Sequence, residues 1–384
     1  MQHPEKMIIE QDDSELIINE LSTIPSSSNK YCLLPSTKVY NIADTSQDPD
    51  IPVTMSTATP AHQQEKTFRN YTASDAAKYA AYRASYPTAL INLVLGLHTS
   101  TGGKTTRVVD IGCGPGNETR QIAPYFQHVA GIDAGESMIA AAQAQASTCL
   151  SSTGEPATFK VCNSEDIDKH FEPESIDLIT VATAAHWFDM PKFYIAAANV
   201  LKPGGSIAMW CGASWWVDPR TTPNAEEVQQ AWLELEREIL LPFEMPGNRL
   251  CRELYRDLDM PWTAKAEGKA KQALDSFDKE TSVRREFNAD GQPDPDPMFA
   301  ETNGYMVYRH ANVGYLSKGF GTASQVTRWR EAHKEQLEKG EIEDCVSRML
   351  RLTRERIGTP EEGFEEQYID CGVSTVLIVL KKRA

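Results

Sequence analysis

The chain has 384 residues, a formal net charge of −16 and eight cysteines. This length allows a sizeable core without disulfides or metal, and the acidity argues against a nucleic-acid partner, which needs clustered Lys and Arg. The cysteines form no Cys-x-x-Cys pair, which predicts no metal site and reduced thiols in a cytoplasmic protein. The longest apolar run, residues 376–380, is too short to span a membrane, so we expect no membrane partner.

Composition and periodicity divide the chain into four parts. Residues 1–66 are polar and lack hydrophobic periodicity, which predicts a disordered N-terminal extension. Residues 67–212 begin with helices broken at Pro87 and continue as alternating strands and helices, which predicts an α/β core. Residues 213–370 have a helical and irregular pattern, typical of a cap with late core elements. Residues 371–384 contain a β-branched run that predicts a final strand of the core sheet.

The most informative motif lies at the start of this core. A short apolar run ends in Asp110 and breaks into a turn with glycines at 112, 114 and 116, and the next predicted strand ends in Asp133. Such a βαβ unit binds a nucleotide-type ligand at the carboxyl ends of its strands. Gly112 and Gly114 let the backbone approach the ligand because they have no Cβ. Asp133 is placed to accept hydrogen bonds from ribose hydroxyls.

The glycine spacing separates two ligand classes. A dinucleotide fingerprint needs a third glycine where this chain has Asn117. The observed Gly-x-Gly-x-Gly, preceded by Asp110, resembles motif I of the class I S-adenosylmethionine (SAM) methyltransferases. This resemblance implies SAM as the cofactor and a Rossmann-like α/β fold. In that fold, a seven-stranded, mostly parallel sheet carries an α-helical cap between strands five and six.

Later segments extend the resemblance. Strands are predicted at 159–162, 176–181 and 206–210. The lid-like segment 78–87 and the Ala-His-Trp-Phe-Asp loop at 185–189 are similar to those of the fungal trans-aconitate methyltransferase-like family. That family's Arg-Thr-Trp-Ser helix start appears here as Gly-Thr-Ala-Ser. The resemblance therefore implies small-molecule methylation, as in fungal secondary metabolism, and leaves the substrate class open.

The resemblance also implies a set of cofactor-binding residues. Asp110 is expected to orient the glycine loop or the cofactor's amino group, and it could also cap the turn. Arg83 is expected to hold the methionine carboxylate or an acidic substrate, with a surface ion pair as the alternative. Asn163 is expected to contact adenine. The full set is Tyr79, Arg83, Asp110, Gly112, Gly114, Asp133, Met138, Asn163, Ser164 and Ala182.

The acceptor side is less determined. His186 follows a strand and is a candidate general base for a hydroxyl acceptor, or else a partner for a backbone carbonyl. Trp187 and Arg249 are expected to bind the substrate. We expect methyl transfer to a hydroxyl or carboxyl oxygen of a small metabolite, with N- and C-methylation left open. The alternative is a SAM-binding protein that cyclises a metabolite or regulates a partner, since fold does not fix chemistry. Monomer and homodimer both remain open.

Overall fold

A computed structural model describes residues 69, 71–82 and 85–384. The predictions for the 1–66 extension and for Arg83 therefore lie outside the described residues. Within them, helices and strands alternate in the core and helices dominate the cap. The helices are α1 Ala73–Tyr82, α2 Thr88–Ser100, α3 Asn117–Ile122, α4 Glu136–Ala144, α5 Met190–Val200, α6 Ala225–Glu234, α7 Pro246–Arg252, α8 Gly268–Asp275, α9 Val313–Gly321, α10 Ser324–Ala332, α11 Lys334–Glu338 and α12 Cys345–Ile357. The strands are β1 Arg107–Ile111, β2 His128–Asp133, β3 Thr158–Val161, β4 Ile176–Ala182, β5 Leu201–Val217, β6 Phe277–Phe287, β7 Val307–Asn312 and β8 Tyr368–Lys382.

The described strands form one mixed sheet in the order β3-β2-β1-β4-β5-β8-β6, with β7 also paired to β8. The pairs among β1 to β5 are parallel, and β8 is antiparallel to β5, β6 and β7. The predicted class I methyltransferase fold is confirmed. The sheet has eight strands instead of seven because β6 and β7 follow one another along the same side of β8, whose fifteen residues span both.

Two apolar layers sandwich the sheet. Along β1, Val109 and Ile111 face the layer that contains α5, whereas Val108 faces the layer that contains α2. This alternation follows from the two-residue period of a strand. Because both faces are covered, the central strands are almost continuously apolar. The sheet is thus packed on both faces, and the carboxyl ends of its parallel strands lie at one edge.

The helical cap comes from two segments of the chain. The first, with α6 and α7, leaves β5 and returns to the sheet at β6, as predicted. The second, α9 to α12, lies between β7 and β8, within the predicted 213–370 cap but not between strands five and six. The two segments share an apolar core that includes Trp232, Trp329 and Met349. No helix in the described part of the chain is both long and apolar enough to cross a membrane.

Candidate active site

A single continuous cavity of about 420 Å³ lies between the glycine-rich loop and the cap. Its lining includes residues of the loop after β1, the end of β2, the exit of β4 and helices of the cap. This position, outside the carboxyl ends of the parallel strands, is where open α/β sheets bind ligands. The volume falls in the usual range for small-molecule sites.

The two predicted loop glycines have different roles. Both have left-handed backbone angles, with φ of +68° at Gly112 and +52° at Gly114. A Cβ on Gly112 would lie 2.5 Å from the Cβ of Ala184, so this glycine allows the loop to pack against the exit of β4. A Cβ on Gly114 would have no heavy atom within 4 Å. Gly114 therefore leaves open space, which a ligand can fill, above the loop.

Asp133 binds the glycine loop and also lines the cavity. Its Oδ2 accepts a hydrogen bond from the Gly114 amide at 2.9 Å, and its Oδ1 accepts one from the Gly135 amide at 2.7 Å. Burial raises the pKa of this carboxyl, and the two amide hydrogen bonds oppose that shift. A carboxylate can accept about four hydrogen bonds, so the predicted ribose contact is compatible with this geometry.

Asp110 has an internal role. Its carboxyl group is fully buried and accepts hydrogen bonds from the Thr119 hydroxyl at 2.7 Å and the Thr180 hydroxyl at 3.1 Å. Burial raises its pKa to about 6. These contacts connect the end of β1 to α3 and β4. They favour the predicted role in orienting the loop.

A second buried acid, Glu118, lies in the first turn of α3 and also lines the cavity. The residue is 3% exposed, and neither carboxyl oxygen has a hydrogen-bond partner among the described residues. Burial raises its pKa well above the ordinary value, and the nearby Asp110 adds to the shift. Glu118 is not among the site residues predicted from the sequence, although its place two residues after Gly116 is a usable signal.

His186 lies in a short 3₁₀ helix after β4 and lines the cavity. Its Nδ1 is 2.7 Å from the hydroxyl of Tyr255, and its ring packs against Trp187 with ring centroids 4.7 Å apart. Trp187 also lines the cavity. Gly247, at the start of α7, packs closely on this segment. The cap therefore fixes the position of the candidate base.

Two unpartnered donors lie on the sheet side of the cavity. The indole Nε1 of Trp210 and the guanidinium Nε of Arg309 are buried without a hydrogen-bond partner among the described residues. Both are close to Tyr86: Trp210 packs on its ring at 5.5 Å between centroids, and Arg309 donates to the Ser85 carbonyl at 2.7 Å. Arg309 forms no ion pair with the described residues, and burial lowers its pKa. No sequence motif marked either residue.

The cap side of the cavity is aromatic. Phe320 packs against Trp215 and Trp232, with ring centroids 5.3 Å apart in both pairs. All three line the cavity, as does Arg252, which forms an ion pair with Glu244 at 2.9 Å. This wall is suited to packing against a flat, apolar part of a ligand.

Most of the other predicted site residues also border the cavity, namely Tyr79, Met138, Ser164 and Ala182. Two do not. The side-chain carbonyl of Asn163 accepts from Arg69 at 3.0 Å and its amide donates to Asp166, and Asn163 does not line the cavity. Arg249 is also misplaced by the sequence analysis, because its 63% exposed side chain forms an ion pair with Glu253 outside the cavity. On the same helix, Arg252 lines the cavity whereas Arg249 does not. The sequence alone does not distinguish these two positions.

Comparison with known proteins finds similarity to methyltransferases. Residues 109–209 match the family model described as a methyltransferase domain. A probable SAM-dependent methyltransferase, CRG1, from Saccharomyces cerevisiae is 31% identical over 48% of this chain and 63% of its own length. The chloroplastic tocopherol O-methyltransferase of Arabidopsis thaliana is 30% identical over 40% of this chain and 39% of its own length. The chain thus matches less than two thirds of either relative.

A solved structure shares the fold. The structure of a putative type II methyltransferase from Anaeromyxobacter dehalogenans aligns with 79% of this chain and 98% of its own, at a TM-score of 0.50 and 21% identity. The cavity has open space above Gly114 and a carboxylate at the end of β2, which fit a nucleotide-type ligand such as SAM. Residues 109–209 therefore match a methyltransferase domain, and the fold around them is that of the class I methyltransferases, with SAM as the cofactor.

Proposed function

We propose that this protein transfers a methyl group from SAM to an oxygen atom of a small-molecule metabolite. The observation that carries the proposal is the continuous cavity that joins the glycine-rich loop to the aromatic wall of the cap. The cofactor end and the acceptor end thus belong to one compartment. An interior cavity of this size suits a small molecule better than a macromolecular acceptor.

When bound, SAM supplies a methyl group on a positively charged sulfur, which a nucleophile in line with it can accept. The protein's contribution is therefore alignment and exclusion of water. Asp133 and the glycine loop hold the cofactor end of the cavity in place. Trp215 of β5 and the cap residues Trp232 and Phe320 exclude water from the other end.

The polar atoms near Tyr86 favour an oxygen-bearing acceptor. Trp210 Nε1 and Arg309 Nε are donors without partners among the described residues, and a buried donor without a partner costs about 1–3 kcal/mol. A ligand with carboxyl, carbonyl or phenol oxygens would satisfy them. This inference agrees with the motifs similar to the trans-aconitate methyltransferase-like family and with the O-methylation named for the Arabidopsis relative.

His186 distinguishes two acceptor types. A hydroxyl acceptor must lose a proton, and His186, held by Tyr255 at 2.7 Å, is the group we propose as its base. A carboxylate acceptor is already ionised and needs no base. The aromatic wall favours a hydroxylated aromatic compound as the acceptor, such as a metabolite of fungal secondary metabolism. The seven described cysteines are all free, which supports a cytoplasmic location.

The test is a transfer assay with methyl-labelled SAM and a panel of aromatic and aliphatic acids and phenols. We expect label in an ether, which survives mild alkali, whereas a carboxyl ester would be hydrolysed. His186→Ala should lower the rate of ether formation about 100-fold while S-adenosylhomocysteine still binds. Arg309→Gln should raise the acceptor KM. Label only on nitrogen or carbon would contradict an oxygen acceptor, and no transfer to any acceptor would contradict the proposed activity.

A further inference from the structure

We propose that Glu118 is a cofactor-binding residue whose carboxylate accepts hydrogen bonds from the ammonium group of the amino-acid tail of SAM. The inference rests on the cofactor assignment but does not require that methyl transfer occurs. Glu118 is not among the residues that the sequence resemblance assigned to the cofactor.

Position supports this assignment. Glu118 follows the glycine loop directly and lines the same cavity as Gly114 and Asp133. Asp133, at the end of β2, is the group placed for ribose hydroxyls, so the adenosine part belongs on the β2 side of the loop. The amino-acid tail then extends towards the start of α3. There Asp110 and Glu118 are the acids that line the cavity.

The available hydrogen-bond acceptors support it as well. The Asp110 carboxyl group already accepts from the hydroxyls of Thr119 and Thr180. The two Glu118 oxygens, in contrast, are both buried and accept no hydrogen bond from any described residue. An ammonium group offers three N–H donors and a positive charge, and it therefore satisfies this carboxylate where a neutral donor would do so only in part.

The energetics indicate that the carboxyl group is there for a ligand. A buried carboxyl group without a partner is costly in the ligand-free protein, and its pKa is raised because burial disfavours the charged form. The Glu118 side chain forms no hydrogen bond with the described residues that would offset this cost. A bound cation provides the missing partner, so the cost is recovered only in the complex.

The test compares two ligands that differ in the tail. S-adenosylhomocysteine carries the amino-acid tail, and 5′-methylthioadenosine has the same adenosine part without it. Glu118→Gln should lower the affinity for S-adenosylhomocysteine about 10- to 100-fold, as expected for a lost hydrogen bond to a charged group. It should change the affinity for 5′-methylthioadenosine, measured by displacement, less than about twofold. Glu136→Gln is the matched control, because Glu136 is an exposed acid in the first turn of α4.

The melting temperature of ligand-free Glu118→Gln should equal or exceed that of the wild type, because the variant removes an unpartnered buried acid. An equal loss of affinity for both ligands, or a clearly lower melting temperature, would overturn the proposal and make Glu118 a structural residue. Unchanged affinity for both ligands would overturn it too, because the acid would then face the acceptor. Failure of methyl transfer with the ligand difference intact would refute only the proposed function.

Discussion

Replacement of Asp133 by alanine should reduce both stability and cofactor affinity, because its carboxylate anchors the glycine loop. The variant leaves the amides of Gly114 and Gly135 without their acceptor. Each such hydrogen bond to a charged group contributes about 1.5–3 kcal/mol. The raised pKa of Asp133 shows that burial disfavours its charged form, so part of that sum is already offset. We therefore expect the free energy of unfolding to fall by about 2–4 kcal/mol at neutral pH.

Urea denaturation of the ligand-free protein measures the stability term, and calorimetry with S-adenosylhomocysteine measures the affinity term. We expect at least about a tenfold loss of affinity, from the ribose contact and the loosened loop together. Asp257→Ala, at an exposed position, is the control for a lost surface charge. An unchanged free energy of unfolding with reduced affinity would refute the anchoring role. Unchanged affinity in a folded variant would remove Asp133 from the site.

Two further predictions concern the neighbouring elements. Burial raises the pKa of Asp110 from 3.8 to about 6, so between about pH 4 and 6 the folded protein binds a proton that the unfolded chain does not. The free energy of unfolding should rise as the pH falls through this window, by up to about 3 kcal/mol, and Asp110→Asn should flatten that part of a denaturation-against-pH curve. A variant curve parallel to that of the wild type would refute this. A Cβ on Gly247 would lie 2.6 Å from both the His186 carbonyl oxygen and the Trp187 ring, so Gly247→Ala should cost about 1–3 kcal/mol and lower turnover without weakening S-adenosylhomocysteine. Gly314→Ala, whose Cβ would approach no closer than 3.5 Å, should be nearly neutral; equal effects of the two variants would contradict the packing argument.

The parts of the fold that were predictable have strong local signals. The run that ends in Asp110 is apolar and β-branched because β1 is covered on both faces. Its glycine turn is informative because an acid precedes it and a second acid ends the next strand. The same motif placed Asp133 at the end of β2 and at the cavity. The last strand was also predicted, because β8 is buried along nearly its whole length. Local sequence thus determines these elements before any tertiary contact.

The remaining parts depend on long-range packing. β6 is half-exposed and rich in charged residues, so its sequence lacks the apolar pattern of the central strands. Arg309 enters the cavity from β7, a short strand that is defined by its pairing with β8. Arg249 carries the same charge on α7 but turns outwards. Composition does not distinguish two such arginines, because only the packing of their elements decides which one meets the cavity.

The position of β8 has a consequence for how the chain folds. This strand follows both cap segments in sequence, yet it lies inside the sheet, between β5 on one side and β6 and β7 on the other. Until β8 is in place, these three strands have unpaired edges and the two cap segments lack a common support. Sheet closure therefore requires contacts between residues far apart in sequence, such as Trp210 with Leu377. Folding should be slow and limited by this insertion, and partly made chains should be prone to aggregation.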